Sequence, residues 1–449
     1  MKSMQKHPLI MGAFILTITG FISRIIGFFY RIYLSQLFGE EGMGIYQLLS
    51  PVLALSFSLC AAGYQTAISK LVAEHTVKNN GSVFRPMLAG LSISMPLSFL
   101  CCGVVFSLAE PIGVILLQEP RTVSMLRILA FSIPFSAIHS CINGYFYGVK
   151  KAGIPAAAQL AEQLIRVGCV YLVSAFAYRQ GKLPTINVAV LGLSIGEFAS
   201  MMVSLIAIYL CGIHQKKTTK PFPGIAQKAI YTGILQMALP LTANRLVLNF
   251  LQSIESVSIP AKLRLYGYDT ATALSVYGVL TGMAMPLIFF PNAVTGSIAV
   301  LLLPMISESY ALGDLKAVRS ATLRTIKYCF LLGFSCMLVF GLCGRFAGTF
   351  LFHSALAGHF ITTLSFICPF IYLDTTLSSI LQGLGMAGHI FVINVVCLFI
   401  RLGFVFYCVP AFGISGYLWG MLASQLLLSL LYLICLYLFI KKKAPSGAP

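Results

Sequence analysis

The sequence predicts an all-α polytopic membrane protein with about twelve transmembrane helices, in two six-helix lobes related by an internal duplication. Three observations predict this class. Of the 449 residues, 58% are hydrophobic and only 9% are charged, whereas an average soluble domain has ~25% charged residues. Apolar runs of ~20 residues, long enough to cross a bilayer as a helix, recur along the chain. Two stretches of the sequence also repeat each other at a constant offset.

The formal net charge of +18 is distributed in a way that indicates membrane topology rather than nucleic-acid binding. Lys and Arg cluster in alternate short loops, for example at Lys150 and Lys151, while intervening loops hold Glu40 and Glu41 or isolated basic residues. Cytoplasmic loops of membrane proteins carry such an excess of basic residues. We therefore expect a multi-pass protein of the cytoplasmic (plasma) membrane with both termini in the cytoplasm.

The boundaries of the lobes follow from the order of the apolar runs. We predict a first lobe over residues 1–222 and a second over residues 223–449, joined by a basic loop that contains Pro221, Pro223 and Gly224. The predicted spans lie near residues 8–37, 44–69, 86–117, 122–147, 154–178 and 186–213, and then 229–258, 274–304, 322–352, 358–384, 388–410 and 414–440. The third and ninth spans are long, and Pro111 and Gly344 are candidate break points.

The duplication is visible in the sequence itself. Ten residues recur at one offset without a gap through two helices and their loop. Leu129, Phe131, Pro134, Phe135, Gly148, Ala152, Gly153, Ile165, Arg166 and Gly168 recur as Leu364, Phe366, Pro369, Phe370, Gly383, Ala387, Gly388, Ile400, Arg401 and Gly403. Because each repeat has an even number of spans, both copies enter the membrane from the same side. This is a transporter plan in which the substrate site lies between the lobes.

Polar and small residues form a stripe on the first and seventh spans. At helical spacing the stripes comprise Thr17, Gly20, Arg24, Gly27 and Arg31, and Thr242, Arg245, Asn249, Gln252 and Ser256. An arginine at the centre of a span costs at least ~2.5 kcal/mol, so such a face avoids lipid. We predict that the stripes line a central polar cavity and that Arg24, Arg31, Arg245, Asn249 and Gln252 bind substrate there. Arginine binds phosphate with two charge-assisted hydrogen bonds, which favours an anionic headgroup.

Other charged residues also lie inside predicted spans. Arg166 is four residues after Glu162 on one helix, which is compatible with a local ion pair, while its repeat partner Arg401 faces Asn394. Both arginines are therefore predicted either to bind substrate or to pack within a lobe. Glu255 and Asp374 are candidate sites for a coupling ion or proton. Pairing of Glu255 with Arg245, or snorkelling of either acid, is an equal alternative.

The remaining reactive side chains predict neither a cofactor nor a metal site. The 13 cysteines lie nearly all in apolar spans and are interpreted as small buried hydrophobic residues. His139, His353 and His359 lie near predicted span ends and are interpreted as interfacial. The sequence contains no P-loop, Gly-x-Ser-x-Gly or His-Glu-x-x-His motif, and its loops are short. We therefore predict that the protein is not an enzyme.

Two segments carry a family resemblance. Ser-Arg-Ile-Ile-Gly-Phe at Ser23–Phe28, followed by Leu37-Phe38-Gly39 and Gly42-x-Gly44-Ile45-Tyr46-Gln47-Leu48, resembles the opening of the multidrug/oligosaccharidyl-lipid/polysaccharide flippase superfamily. Ala62-Gly63 and then Ala-Ile-Ser-Lys-Leu-Val-Ala-Glu at Ala67–Glu74 resemble the stage V sporulation protein B and polysaccharide exporter branch. The resemblance, together with the duplication, covers nearly the whole chain.

The resemblance implies a flippase for a lipid-linked oligosaccharide in peptidoglycan, spore-cortex or polysaccharide synthesis. In related lipid II flippases, first-helix arginines line a cationic cavity, and Arg24 matches one such position. This sequence departs from their pattern at Tyr30 and Arg31, where the second arginine is displaced by one residue, and at Ser58, where those flippases have an arginine. Many members also have fourteen spans rather than about twelve. The resemblance therefore implies a class of lipid-linked substrate and not lipid II itself.

We expect alternating access, with a polyprenyl-(pyro)phosphate-linked sugar, the bilayer, a coupling ion and cell-wall synthesis enzymes as candidate partners. One alternative is a cation-coupled multidrug exporter of the same superfamily, in which Glu255 and Asp374 would matter more than Arg24. A second is a non-transporting scaffold of the cell-wall machinery, in which the polar stripes pair internally. A third is a membrane glycosyl or acyl transferase, which would need a catalytic acid or His in an outer loop.

Overall fold

The computed structural model describes residues 8–78, 83–215 and 227–443, and this part of the chain contains helices and no strand. Thirteen of these helices are long and apolar enough to cross a membrane. In chain order they are α1 Ile15–Gln47, α2 Ser50–Thr76, α3 Arg85–Ser107, α4 Thr122–Gly148, α5 Gly153–Arg179, α6 Asn187–Cys211, α7 Lys228–Tyr266, α8 Thr270–Phe289, α9 Asn292–Ala311, α10 Leu315–Phe352, α11 Ala355–Gly383, α12 Ala387–Phe412 and α13 Ile414–Lys442. The predicted all-α membrane class is confirmed.

The count differs from the predicted twelve at one place. The span predicted near residues 274–304 is interrupted by a turn at Phe290 and Pro291, which separates α8 from α9. Proline has no backbone N–H and cannot continue the hydrogen-bond ladder of the preceding helix. Asp269 begins α8 as its N-cap, with its side chain accepting from the backbone N–H of Thr272. The other eleven predicted spans each overlap one of these helices, and the third extends beyond the end of its helix at Ser107.

The two candidate break points behave differently. Helix α3 ends at Ser107. In a continuous helix the carbonyl of Ser107 would accept from the N–H of residue 111, and Pro111 has no N–H. Helix α10 instead runs without interruption through Gly344, from Leu315 to Phe352. A π-helical segment interrupts α2 at Ser58–Ala62. Such bulges release backbone groups from the regular ladder and are frequent at functional sites.

The chain divides into two compact units. Unit 1 contains the described residues up to Tyr30 together with Leu48–Ser253; unit 2 contains Arg31–Gln47 and the described residues from Ile254 onwards. Helices α1 and α7 therefore each contribute one part to each unit. The predicted boundary between residues 222 and 223, with its proline-rich hinge, and both termini lie outside the described residues. The predicted lobe boundaries and the orientation of the termini stay predictions.

Unit 1 is held together by close approach of α2, α4 and α7. A Cβ on Gly144 would lie 2.6 Å from the backbone oxygen of Gln65, and a Cβ on Gly63 would lie 2.1 Å from the hydroxyl of Thr242. Small residues at such crossings allow membrane helices to pack backbone against backbone. The buried side chains around these contacts include Ile68, Tyr145, Phe146 and Ile234.

Unit 2 uses the same device at different positions. A Cβ on Gly348 of α10 would lie 2.1 Å from the backbone nitrogen of Gly358 of α11. A second buried cluster joins α9, α11 and α13 and includes Ile306, Leu377 and Tyr432. Each unit is therefore a tightly packed helical body that can hold polar side chains at fixed positions.

Candidate functional site

The polar stripe of α1 is uncovered between Gly20 and Gly27, in the part of the helix that belongs to unit 1. Arg24 is exposed, and its guanidinium has neither a hydrogen bond nor an ion pair with another described residue. A Cβ added at Gly20 or Gly27, on the same stripe, would meet no atom within 4 Å. Neighbouring helices therefore leave this face of α1 uncovered along two turns.

Most of the exposed apolar side chains of α1 lie on a different face. Ile18, Ile22 and Phe29 lie about 160° around the helix from the centre of the stripe at ~100° per residue, whereas Phe21, which is also exposed, lies about 80° from it. The buried residues Thr19 and Ser23 lie between these two faces. The exposed arc of α1 therefore runs from the apolar face through Phe21 to Arg24, and its buried arc lies opposite Phe21.

The second arginine of this stripe has a different setting. Arg31 is partly buried, belongs to unit 2 and interacts with neighbouring residues. The kink at Gly39, whose φ of 68° lies in the left-handed region, occurs two turns further along the same helix. Arg24 and Arg31 share one sequence stripe but are held by different units.

The stripe of α7 is partly packed against α2, but two of its residues in unit 1 are exposed. Arg245 and Gln252 are exposed, and Arg245 makes no hydrogen bond or ion pair with any other residue that the structure describes. In the unit 1 part of this helix the large exposed apolar residues are Leu239, Val247 and Phe250, which lie on average about 130° around the helix from the centre of the stripe at ~100° per residue. Unit 1 therefore presents two arginines, one on each stripe, that have no hydrogen-bond or ion-pair partner among the described residues.

Asn249 anchors the α7 stripe to the irregular part of α2. Its amide donates to the backbone oxygen of Ala54 at 3.3 Å and to the hydroxyl oxygen of Ser58 at 2.5 Å. Ser58 opens the π-helical segment, whose altered ladder leaves backbone carbonyl groups available to side chains. The predicted site residue Asn249 is thus a positioning residue for α7 as well as a polar group of the stripe.

The repeated arginines are both neutralised, but by acids at different places. Arg166 donates from Nη2 to Oε1 of Glu162 one turn earlier on α5. Arg401 of α12 donates from Nη2 to Oε2 of Glu255 at 2.6 Å, and the hydroxyl of Tyr417 donates to the other carboxylate oxygen at 2.7 Å. Glu255 is 4% exposed, so this is a buried ion pair. Each arginine cancels the charge of a carboxylate inside its own unit.

Asp374, the second candidate for a coupling ion, is also hydrogen-bonded. Gln425 donates to Oδ2 at 2.8 Å, and Ser429 donates to Oδ1 at 2.6 Å. The side chain is 6% exposed. Two neutral donors therefore hold Asp374, whereas a cationic side chain holds Glu255.

The structure also assembles a polar cluster that the sequence analysis missed. His139 lies within the long helix α4, away from its ends, and its Nε2 is 2.9 Å from Oε2 of Glu197 on α6. One ligand atom each of His139, Glu162 and Glu197 lies within 4.8 Å of the others. The interfacial interpretation of His139 is therefore wrong. The helices of one lobe bring together residues that no short sequence motif connects.

Two cavities of different character lie within the units. The first, in unit 1, has a volume of about 390 Å³ and is lined in part by Ser56, Ser132, Ser136, Arg166 and Glu197. The second, in unit 2, has a volume of about 600 Å³ and an apolar, mainly aromatic and aliphatic lining. Among its lining residues are Phe330, Phe334, Met337, Phe366, Phe370 and Trp419.

Comparison with known proteins places the chain in a family. Residues 9–310 match the polysaccharide biosynthesis protein family. The chain is 27% identical over 437 residues to stage V sporulation protein B of Bacillus subtilis (strain 168), an alignment that covers 96% of this chain and 83% of that protein. It is 23% identical over 407 residues to the lipid II flippase MurJ of the same strain, covering 85% and 74% of the two chains.

The fold comparison agrees. An inward-facing multidrug resistance MATE family transporter of the MOP superfamily superposes with a TM-score of 0.69 at 16% identity, covering 95% of this chain and 96% of that chain. The predicted resemblance to the flippase superfamily, in its stage V sporulation protein B branch, is confirmed. The chain belongs to the polysaccharide biosynthesis protein family, whose members are multi-pass membrane flippases and transporters rather than enzymes.

Proposed function

We propose that this protein is a flippase of the cytoplasmic membrane that moves a polyprenyl-(pyro)phosphate-linked oligosaccharide across the bilayer by alternating access. The observation that carries the proposal is the pair Arg24 and Arg245, two exposed arginines of unit 1 with no hydrogen-bond or ion-pair partner among the described residues. A guanidinium within a membrane span needs an anion or water because hydrocarbon solvates it poorly. The substrate supplies that anion.

The chemistry of arginine favours phosphate as the ligand. Its planar fork donates two parallel hydrogen bonds to one phosphate and keeps its charge at every physiological pH. In this proposal Arg24 and Arg245 bind the phosphates, while Gln252 donates to the sugar and Arg31 and Asn249 support the binding surface. A polyprenyl tail stays in the hydrocarbon beside the transporter.

Arg166 and Arg401 have a secondary place in the proposal. Each already donates to a carboxylate, Glu162 or Glu255, within its own unit. Moving either arginine to a phosphate would leave a partly or fully buried carboxylate without its counter-ion, which costs several kcal/mol. Arg166 also lines the unit 1 cavity and is the better placed of the two to meet a ligand.

The two principal alternatives have less support from these contacts. The two acids predicted to serve a cation-coupled drug exporter are already hydrogen-bonded, Glu255 by Arg401 and Asp374 by Gln425. A scaffold would have its polar stripes paired internally, whereas Arg24 and Arg245 have no such partners among described residues. The relatives' names add support for a lipid-linked substrate, since one is a lipid II flippase.

The experiment is a flipping assay with purified protein in liposomes that contain a fluorescent lipid-linked sugar. Arg24→Ala is expected to slow flipping about tenfold or more, because a hydrogen bond to a charged group contributes ~1.5–3 kcal/mol. Arg127→Ala, at an exposed arginine of unit 1 outside both stripes, is the matched control and should flip at the rate of the unmodified protein. Unchanged flipping by Arg24→Ala would overturn the proposal.

A further inference from the structure

A buried cluster in unit 1 has two carboxylates, one imidazole and one guanidinium. Glu162 and Glu197 have side chains that are 14% and 18% exposed, and His139 is 11% exposed. The guanidinium of Arg166 already donates to Glu162. If the imidazole is neutral, the two carboxylates are negative and only Arg166 is positive. The cluster therefore has an excess of one negative charge. Burial of such a charge is unfavourable unless a cation joins it.

The duplication provides an internal comparison for this cluster. The constant offset that relates Arg166 to Arg401 also relates His139 to Asp374 and Glu162 to Cys397. The partners of His139 and Asp374 lie on the last helix of each repeat, since His139 contacts Glu197 of α6 and Asp374 contacts Gln425 of α13. Gly192 and Gly420 are close-packing positions of these two helices, where a Cβ would lie 2.3 Å from Val170 and 2.5 Å from Phe404. Five residues after these glycines stand Glu197 and Gln425.

The two copies differ in their capacity to bind a cation. In unit 2 the corresponding residues are Asp374, Cys397 and Gln425, and the single carboxylate accepts hydrogen bonds from Gln425 and Ser429. In unit 1 all three positions carry a metal-ligating side chain, and the ligand atoms lie within 4.8 Å of one another. Unit 1 thus has three side chains that can bind a cation together. At the corresponding place in unit 2, the neutral donors Gln425 and Ser429 already occupy the carboxylate of Asp374.

We propose that His139, Glu162 and Glu197 form a binding site for a divalent transition-metal ion of the Zn²⁺ class. The ligands are Nε2 of His139 and one carboxylate oxygen from each glutamate. Imidazole favours Zn²⁺, Co²⁺ or Ni²⁺ over Na⁺, Mg²⁺ and Ca²⁺, which prefer oxygen ligands. Arg166 contacts Oε1 of Glu162, which leaves Oε2 for the ion. The proposal requires no assumption about the transported molecule.

Residues behind the imidazole can hold it in the required form. The amide nitrogen of Asn143 lies 3.3 Å from Nδ1 of His139, and the hydroxyl of Ser204 donates to the amide oxygen at 3.4 Å. When Nε2 binds a metal, Nδ1 carries the proton. A half-turn of the Asn143 amide then lets its oxygen accept a hydrogen bond from Nδ1–H while its nitrogen donates to Ser204. Outer partners of this kind orient the ligand and typically contribute 10–100-fold in metal affinity.

The cavity of unit 1 gives the ion a route and a fourth ligand. Glu197 and Arg166 both line this space, together with Ser132 and Ser136. A water molecule or a solute in the cavity can therefore complete a four-coordinate site, the geometry that Zn²⁺ prefers when three ligands come from the protein. The cluster is buried from the other sides by α4, α5 and α6.

The test measures metal binding by the purified full-length protein in detergent. Its accessible cysteines are first alkylated, because these thiols would otherwise bind Zn²⁺ themselves. The unmodified protein is expected to bind one Co²⁺ with a visible d–d spectrum and without a thiolate charge-transfer band. Glu197→Gln and His139→Gln should weaken binding at least tenfold, and Asn143→Ala about 10–100-fold. Asp374→Asn, the corresponding change in unit 2, should leave Co²⁺ affinity unchanged.

A second measurement keeps the proposal testable if a variant fails to fold. Zn²⁺, but not Mg²⁺, should raise the thermal unfolding temperature of the alkylated protein without substitutions, since a ligand that binds only the folded state stabilises it. Equal Co²⁺ binding by the unmodified protein and Glu197→Gln, or no effect of Zn²⁺ on unfolding, would overturn the proposal. Either result would mean that a protonated His139, and not a metal ion, balances the negative charge of the cluster. Flipping activity does not enter either result.

Discussion

Gln425 donates a hydrogen bond to Asp374 at 2.8 Å, at the place in unit 2 where Glu197 meets His139 in unit 1. The duplicated helices have thus kept a polar contact between the same two helix positions while its chemistry diverged. In unit 2 the contact joins one acid to a neutral amide, and in unit 1 it joins an acid to a titratable imidazole. The repeats share geometry, and the side chains determine what each repeat can bind.

Gln425→Glu tests this relationship directly. The substitution places a second carboxylate against buried Asp374, which has only neutral donors, so we expect a loss of roughly 3–5 kcal/mol of stability at neutral pH. Thermal unfolding of the purified variant in detergent would measure it. Gln382→Glu, at an exposed glutamine of the same unit, is the control and should unfold like the unmodified protein. Equal stability of both variants would mean that a proton or another cation neutralises the added charge.

The ion pair of Arg401 and Glu255 gives a second prediction. Arg401→Gln removes the cation from a carboxylate that is 4% exposed, and breaking a buried pair in this way typically costs ~3–5 kcal/mol. The double variant Arg401→Gln with Glu255→Gln should recover much of the loss, because no charge stays buried. The unfolding temperatures of the two single variants, the double variant and the unmodified protein form a double-mutant cycle that measures the interaction of Arg401 with Glu255.

The outcome of that cycle also bears on the role of Arg401. If its function is packing within unit 2, flipping by the double variant should be close to that of the unmodified protein once stability is restored. A stable double variant that binds a polyprenyl phosphate tenfold more weakly would instead place Arg401 at the substrate. Arg345→Gln, at an exposed arginine in the same unit, controls for the loss of one positive charge.

The glycines of the two units predict opposite effects for one substitution. Gly348→Ala should destabilise the protein, because its Cβ would lie 2.1 Å from the backbone nitrogen of Gly358, and backbone cannot move aside easily. Gly168→Ala should not, since its Cβ would meet no atom within 4 Å. Alanine is a better helix former by ~1 kcal/mol, so Gly168→Ala is expected to be neutral or stabilising. Thermal unfolding of the pair of variants checks both signs.

The sequence predicts those features that depend on local pattern. Apolar runs give the helices, loop charge gives an expected orientation, and helical spacing gives the stripes of Arg24 and Arg245. It does not predict contacts between distant helices. Arg401 and Glu255 are 146 residues apart, and His139 and Glu197 are 58 residues apart, so no periodicity connects them. The constant offset between the repeats also applies to polar residues, and it aligns His139 with Asp374 of the other repeat. This alignment is the sequence signal that could have drawn attention to His139.

The last prediction concerns the geometry of the arginine fork. If Arg24 binds a phosphate with two hydrogen bonds, Arg24→Lys keeps the charge but loses the paired donors. We expect it to bind polyprenyl phosphate about tenfold more weakly than the unmodified protein, since one charge-assisted hydrogen bond contributes ~1.5–3 kcal/mol. Affinity for the uncharged polyprenol should not change. Binding of both lipids to detergent-solubilised protein, for Arg24→Lys, Arg245→Lys and the control Arg127→Lys, separates the fork from simple charge attraction. Equal phosphate binding by Arg24→Lys and Arg127→Lys would mean that the positive charge alone attracts the headgroup.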